Sequence, residues 1–292
     1  MTVDVRLFAA EANASVAAVC KALGLKRSTV YAREKATLSA RARDTVELDA
    51  AIREEFNASG QRYGSPRVYR ALRRKGRRVA RKRVEHRMRT LGLQGRRPKR
   101  FRRTTRSNPR DVPALNVLDR RFMWPQPNQA WVGDITYVWT RSGWAFLALL
   151  VDLCTRRITG WALSDHCDTA LALSALSKAV ARHQPAAGLV HHTDRGSTYT
   201  AGDYRQTLED HEMVVSMSAK GNCWDNAVAE STIGTVKTEA LGDYVPADIH
   251  ELQRILFSYI EGFYNQHRLH SSLDYKSPAE KERDLLNTAH AA

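Results

Sequence analysis

The spacing of apolar residues changes once along this chain, from a helical period in the first third to alternation beyond residue 130. Between residues 15 and 35 an apolar helical stretch, a break at Gly24 and a second start at Ser28-Thr29, suited to capping, give a helix-turn-helix rhythm. A second helical group places Leu48, Ile52 and Phe56 on one face. In Tyr63-Gly64-Ser65-Pro66, Ser65 can cap and Pro66 take the first helical position of a helix carrying Val68, Tyr69 and Leu72 among arginines. From about Ala80 to Leu91 a further helix puts Val84, Met88 and Leu91 inward.

Apolar periodicity then lapses from Gln94 to Pro113, an Arg/Lys/Pro-rich linker. Beyond it, Ala130 to Thr140, Gly143 to Cys154 and Arg156 to Leu163 read as an antiparallel meander. Thr169 to His183 reads as a helix, Gly188 to Thr193 as a strand, Tyr204 to His211 as a helix and Met213 to Met217 as a strand. Helices follow from Cys223 to Leu241 and from Asp248 to His267. This order predicts an α/β core with a mixed sheet flanked by helices, preceded by all-α modules, in which the fourth strand returns to lie parallel beside the first. The expected divisions are a helix-turn-helix-like segment 1–44, a helical DNA-binding module 45–93, a linker 94–120, a catalytic core 121–282 and a tail 283–292.

Charge sharpens this outline. Residues 61 to 110 hold 21 Lys or Arg against the single acid Glu85, a net of +20, so the rest of a chain at +15 nets −5. A polyanion, in the commonest case nucleic acid, is the expected partner of such a segment. Arg67, Arg70, Arg73, Arg74, Arg81, Lys82, Arg83 and Arg87 are the candidate phosphate contacts. The four cysteines form no C-x-x-C pair or Cys/His cluster, which argues against structural zinc and a disulfide framework. No run of about 18 apolar residues suggests a membrane span, and the amino terminus lacks the pattern of a signal peptide, so a cytoplasmic protein is expected.

Three acids carry the candidate chemistry: Asp134 inside an apolar strand, Asp194 just beyond a short strand, and Glu230 on a helix, with 35 residues between the last two. Charge in apolar surroundings is costly unless compensated, so three such carboxylates in one fold invite divalent metal. Two ions about 4 Å apart can activate an attacking oxygen and stabilise a leaving one, the chemistry of phosphodiester transfer. Oxygen ligands favour magnesium or manganese over zinc. Lys237 lies seven residues after Glu230 and Asn226 four before it, so all three share a helix face and can meet DNA beside the metals. Asp152 is a rival ligand, read as a structural partner for Arg156 or Arg157. His191 and His192, neighbours on a strand, point to opposite faces and cannot easily chelate together. Trp224 reads as a core or helix-entry residue rather than a stacking platform.

Trp131 to Tyr137, Gly143-Trp144 with Val151-Asp152-Leu153, His192 to Gly196, Asp225-Asn226-Ala227 with Glu230, Lys237-Thr238-Glu239, and Phe263 to Arg268 with His270 to Leu273 and Ser277-Pro278 resemble bacterial insertion-sequence transposases. The similarity is to the second-reading-frame product and runs from about residue 45 to 282; Tyr63 to Arg67 resembles its helix-turn-helix module. The resemblance implies a ribonuclease-H-like fold, a DDE triad of Asp134, Asp194 and Glu230, and magnesium-dependent cleavage and joining of transposon ends. Its implied partners are double-stranded DNA (terminal inverted repeats and target), further copies of the chain on DNA, and an upstream-frame protein, in a nucleoid-associated setting. A non-catalytic regulator of transposition and a simple nuclease of the same fold are the competing readings. Ser231-Thr232-Ile233-Gly234 departs from the bulky residues usual after the glutamate, and Gly234 weakens a helix by up to about 1 kcal/mol relative to Ala, so looser packing is expected there.

Overall fold

A computed structural model of the chain describes residues 5–28, 30, 39–96, 114–219 and 223–290. Most of the expected linker, and most of the helix expected after Ser28-Thr29, lie outside these residues. Helices α1 (Val5–Glu11) and α2 (Val16–Ala22) pack through Val5, Ala9, Val19 and Cys20. Ser15 caps α2 by accepting from the Ala18 N–H, and Gly24 takes a left-handed φ of 65° just past its end. Helices α3 (Ala40–Ala58), α4 (Ser65–Arg74) and α5 (Arg81–Thr90) share a core in which Leu48, Ile52 and Phe56 meet Val68, Leu72, Val84 and Met88. Two details differ from expectation. Ser39 caps α3, so the division expected between 44 and 45 falls inside a helix. Gly64 rather than Ser65 is the cap residue of α4.

The second unit is a five-stranded sheet in the order β3-β2-β1-β4-β5. Strands β1 (Ala130–Thr140), β2 (Gly143–Asp152) and β3 (Ile158–Ser164) form the antiparallel meander. After α6 (Thr169–His183), β4 (Val190–Thr193) lies parallel to β1, and after α7 (Ser197–Thr200) and α8 (Gly202–Asp210), β5 (Val214–Met217) lies parallel to β4. One face is covered by α6 and α8 through Leu176, Ala179, Tyr204 and Leu208. The backbones meet closely here, since a Cβ on Gly160 of β3 would collide with the Ala175 carbonyl and Ala179 of α6. The other face is covered by α9 (Ala227–Val236) and α10 (Ile249–Phe257) through Ala229, Ile233, Val236, Leu252 and Leu256. This is the ribonuclease-H-like mixed sheet. Gly234 lies within α9, and among the described residues a Cβ there would meet nothing within 4 Å, so the position is open as expected. Helix α11 (Pro278–His290) continues through the expected core boundary at 282. None of the described helices is long and apolar enough to cross a membrane.

Period alone does not distinguish an α-helix from a π-helical turn, and both long C-terminal helices end in one: Lys237–Leu241 after α9 and Ser258–Tyr264 after α10. The first turn carries the junction between the units. Glu239 is buried and receives Arg268 through both carboxylate oxygens at 2.8 and 2.9 Å, together with the Tyr259 hydroxyl at 2.9 Å. Its backbone carbonyl, near the end of the helix, accepts from Arg62 at 2.9 Å and Arg96 at 2.8 Å. Arg67 stands 3.8 Å from the same carboxylate and donates to the Leu269 carbonyl, while Tyr63 bonds the backbone of His267 and Leu269. The helical module is thereby fastened to the core.

Glu239→Gln keeps the shape but leaves Arg268 as a buried cation without its counter-charge, which costs about 3 to 5 kcal/mol. Denaturant unfolding should show that loss as a lower midpoint, and a change below about 1 kcal/mol would mean the pair contributes little.

Candidate active site

The ladder between β1 and β4 runs from Ala130–Val190 to Val132–His192. Beyond it β4 ends, and the next two steps of the same register set Asp134 opposite Asp194. Gly133 keeps the approach close: a Cβ there would press on Leu150 and touch Thr193. The edge of β1 left open by the short β4 borders a cleft of about 240 Å³ lined by Asp134, Asp194, Tyr137, Phe146 and Tyr199. Each aspartate is oriented locally. Asp134 Oδ1 accepts from the Ile135 N–H and Asp194 Oδ1 from the Gly196 N–H, both at 2.9 Å.

Glu230 comes from the first turn of α9, whose position is fixed from its start. The Asn226 side-chain amide donates to the Gly133 carbonyl at 3.0 Å, tying the helix to the residue before Asp134. Asp225 is buried against Arg120, Asn116 and the Ala219 N–H, tying the helix to the segment entering the core. Glu230 itself is exposed and does not line the cleft. Among the described residues no three Asp, Glu, His or Cys side chains close into a metal cage. The acids are nonetheless electrostatically one group. Asp134 is densely surrounded yet keeps some surface on the cleft, and its carboxyl is pushed well above the usual carboxylate range by burial, then by Asp194 and, more weakly, by Glu230. The Ile135 N–H and Lys237 oppose this shift. Lys237 follows Glu230 by two turns, and its ammonium stands 5.0 Å from the Tyr137 ring centroid. Burial lowers the Lys237 pKa to about 8, while Asp134 acts to raise it. Ionising both aspartates would therefore put more negative charge in the site than its lysine offsets, on hard oxygen donors, which suits a divalent cation.

Other expectations resolve differently. Asn226, expected at DNA, is 3% exposed and spent on Gly133. Asp152 is structural, but its partners are the N–H groups of Asn128, Cys154 and Thr155 and the Thr155 hydroxyl rather than Arg156 or Arg157. His191 bonds Tyr204 and His192 bonds Ser216 and Ser218, with burial lowering their pKa values to about 3 and about 4, so both are neutral and separate. Trp224 is 69% exposed, a helix-entry residue outside the core. In the basic module, Arg67 is turned into the junction, Arg74 pairs with Glu280, Arg83 with Asp44 and Arg87 with Asp49. Arg70 lies exposed over the Tyr275 ring. Arg73, Arg81 and Lys82 are exposed. The Glu239 junction and the role of Tyr137 went unassigned in the sequence, although Lys237-Thr238-Glu239 stands out there as a motif.

Family models match as an HTH-like domain over residues 42–101 and as integrase core domains over 125–223 and 211–278. The chain is 38% identical over 261 residues to the insertion element IS600 uncharacterized 31 kDa protein of Shigella sonnei, covering 89% of this chain and 96% of that one. It is 35% identical over 281 residues to the transposase InsF for insertion sequence IS3A of Escherichia coli strain K12, covering 94% and 96%. A solved magnesium complex of the HTLV-2 integrase catalytic core is 17% identical with a TM-score of 0.43, covering 54% of this chain and 97% of that one.

Because the folded state raises the pKa of Asp134, it keeps a proton that the unfolded chain sheds above about pH 4, so stability falls as pH rises through that window. In metal-free buffer at pH 7, Asp134→Asn should raise the thermal midpoint by about 2 to 4 °C, for roughly 1 kcal/mol. It should also flatten the decline of stability above pH 4. A lower midpoint in the variant would show that Asp134 is not crowded by its neighbours.

Proposed function

This chain belongs to the insertion-sequence transposases that join an HTH-like domain to an integrase core, and from that premise we propose that it is a DDE transposase, a polynucleotidyl transferase that cleaves and joins the ends of its element. The observation that carries this reading is that the β1–β4 register, continued just past the end of β4, brings Asp194 opposite Asp134, with Glu230 and Lys237 both acting on the charge of Asp134. Asp134, Asp194 and Glu230 would hold magnesium or manganese as a pair of ions, which supply activation of the attacking oxygen and stabilisation of the leaving one. The rest is the work of the protein. The β1–β4 register fixes the two aspartates, Asn226 and Asp225 fix the helix carrying Glu230, and Lys237, over the Tyr137 ring, would offer a cation to a phosphate. Double-stranded DNA, as element ends and as target, would enter along the basic module, with further copies of the chain bound beside it.

Arg70, Arg73, Arg81 and Lys82 are exposed on the module's positive face. They are the residues we assign to phosphate, whereas Arg67, Arg83 and Arg87 stabilise the protein.

Asp134→Asn, Asp194→Asn and Glu230→Gln should each lower end cleavage and joining by several orders of magnitude while binding of end DNA persists. A supercoiled-plasmid strand-transfer assay with magnesium measures this, and near-normal joining by Asp194→Asn would sink the assignment. DNA affinity should also fall steeply with salt, and replacing Arg73, Arg81 and Lys82 together by Ala should reduce the slope of log K against log salt by about 3. An unchanged slope would place the phosphate contacts elsewhere.

A further inference from the structure

We propose that Tyr137, Trp144 and Trp139 form a stacking subsite for an unpaired base of the DNA whose backbone enters the cleft, an inference that rests on the DNA-processing reading above. Trp139 and Trp144 face one another across β1 and β2, with ring centroids 4.8 Å apart, and Tyr137 adjoins Trp144 at 5.0 Å. The two indoles are 49% and 52% exposed on strands whose other apolar residues are largely buried. Trp124, Trp131 and Trp161 each donate their indole N–H to a protein group, but among the described residues Trp139 and Trp144 do not. Two large rings side by side on a surface, without an internal polar partner, mark a contact site.

The position of the strip identifies what it contacts. It starts at the catalytic cleft, because Tyr137 lines the same cleft as Asp134 and Asp194 and lies beneath the Lys237 ammonium. Trp139 lies five positions beyond Asp134, a rise of about 17 Å along the strand, or about five nucleotide steps at about 3.4 Å each. From Ile135 to Val151 the chain contains the cation Arg141 and no acid. An aromatic strip that begins beside the Lys237 ammonium and leads away from a phosphodiester site matches the way single-stranded nucleic acid is held, with its backbone near positive charge and its bases on rings. Every base offers a π face, so this subsite would select for an unpaired base rather than for a sequence.

The test uses the full-length protein with two probes, a duplex of arbitrary sequence bearing a four-nucleotide 3′ overhang and its blunt counterpart. The wild type should prefer the overhang by about tenfold. Trp139→Ala with Trp144→Ala should bring the preference close to one, and the corresponding Phe pair should retain it. Trp144→Ala alone, expected to lose part of the preference, covers the case in which the double Ala variant does not fold. Asp134→Asn should keep the full preference, and a wild type that selects the overhang but does not join ends in the strand-transfer assay would count against the transposase reading and leave the subsite standing. An unaltered preference in the Ala variants overturns the subsite. So does a change in their sedimentation with the preference intact, which would make the strip a contact between copies of the chain.

Discussion

Holding two carboxylates side by side in a poorly hydrated cleft is unfavourable, and much of the core is arranged so that this can happen at all. The repulsion is met by rigid neighbours. The register of the β1–β4 ladder, continued two steps past its last pair, sets Asp134 opposite Asp194, and Gly133 leaves room for the Leu150 and Thr193 side chains beside it. Each carboxylate also accepts one nearby backbone N–H, a partial substitute for lost water. The third acid is treated differently. Glu230 stays exposed on the first turn of α9, while Asp134 is crowded by burial and by Asp194 and, more weakly, by Glu230.

The same helix links this site to the rest of the molecule. A π-helical turn begins at Lys237, and within three residues the chain sends one side chain towards Asp134 and another, Glu239, into the junction with the helical module. Changes in helical register tend to occur at such turns, and here the turn gives two side chains two unrelated environments. Arg62, Arg67 and Arg96 belong to the strongly basic stretch, yet all three are used inside the protein at this point. The basic segment is therefore two things at once. Part of it neutralises the acids of α3 and the carbonyls and carboxylate of the junction, and part faces solvent.

Most of the fold was legible in the sequence, because alternation and helical period report directly on which side of an element is buried. The meander, the order of later strands and helices, and the inner face Leu48, Ile52 and Phe56 follow from that rule. The pairing of Asp134 with Asp194 followed from a parallel return of the fourth strand. What was not legible depends on contacts between residues remote in the chain. Arg67 reads as one of many arginines until Leu269 and Glu239 come beside it, and Asp152 reads as an ion-pair partner until the turn after β2 offers it two N–H groups and Asn128, just before β1, a third. Asn226 shares the face of Glu230 in an ideal helix, but α9 starts one residue later, and the amide is left free to hold Gly133.

That last displacement shows how the backbone beneath an exposed glutamate is held in one position. A helix held only by its apolar face could slide or rotate on the sheet by a fraction of a turn at small cost, moving Glu230 by several ångströms. Asn226 and Asp225 remove that freedom, since each bonds across to a different part of the core, one to β1 and one to the segment around Arg120. Both are buried, so breaking either bond would leave a polar group without water to replace its partner. The placement of the third acid therefore does not require burying it. It is inherited from two side chains at the start of its helix, which leaves the carboxylate hydrated while its backbone stays fixed relative to Asp134.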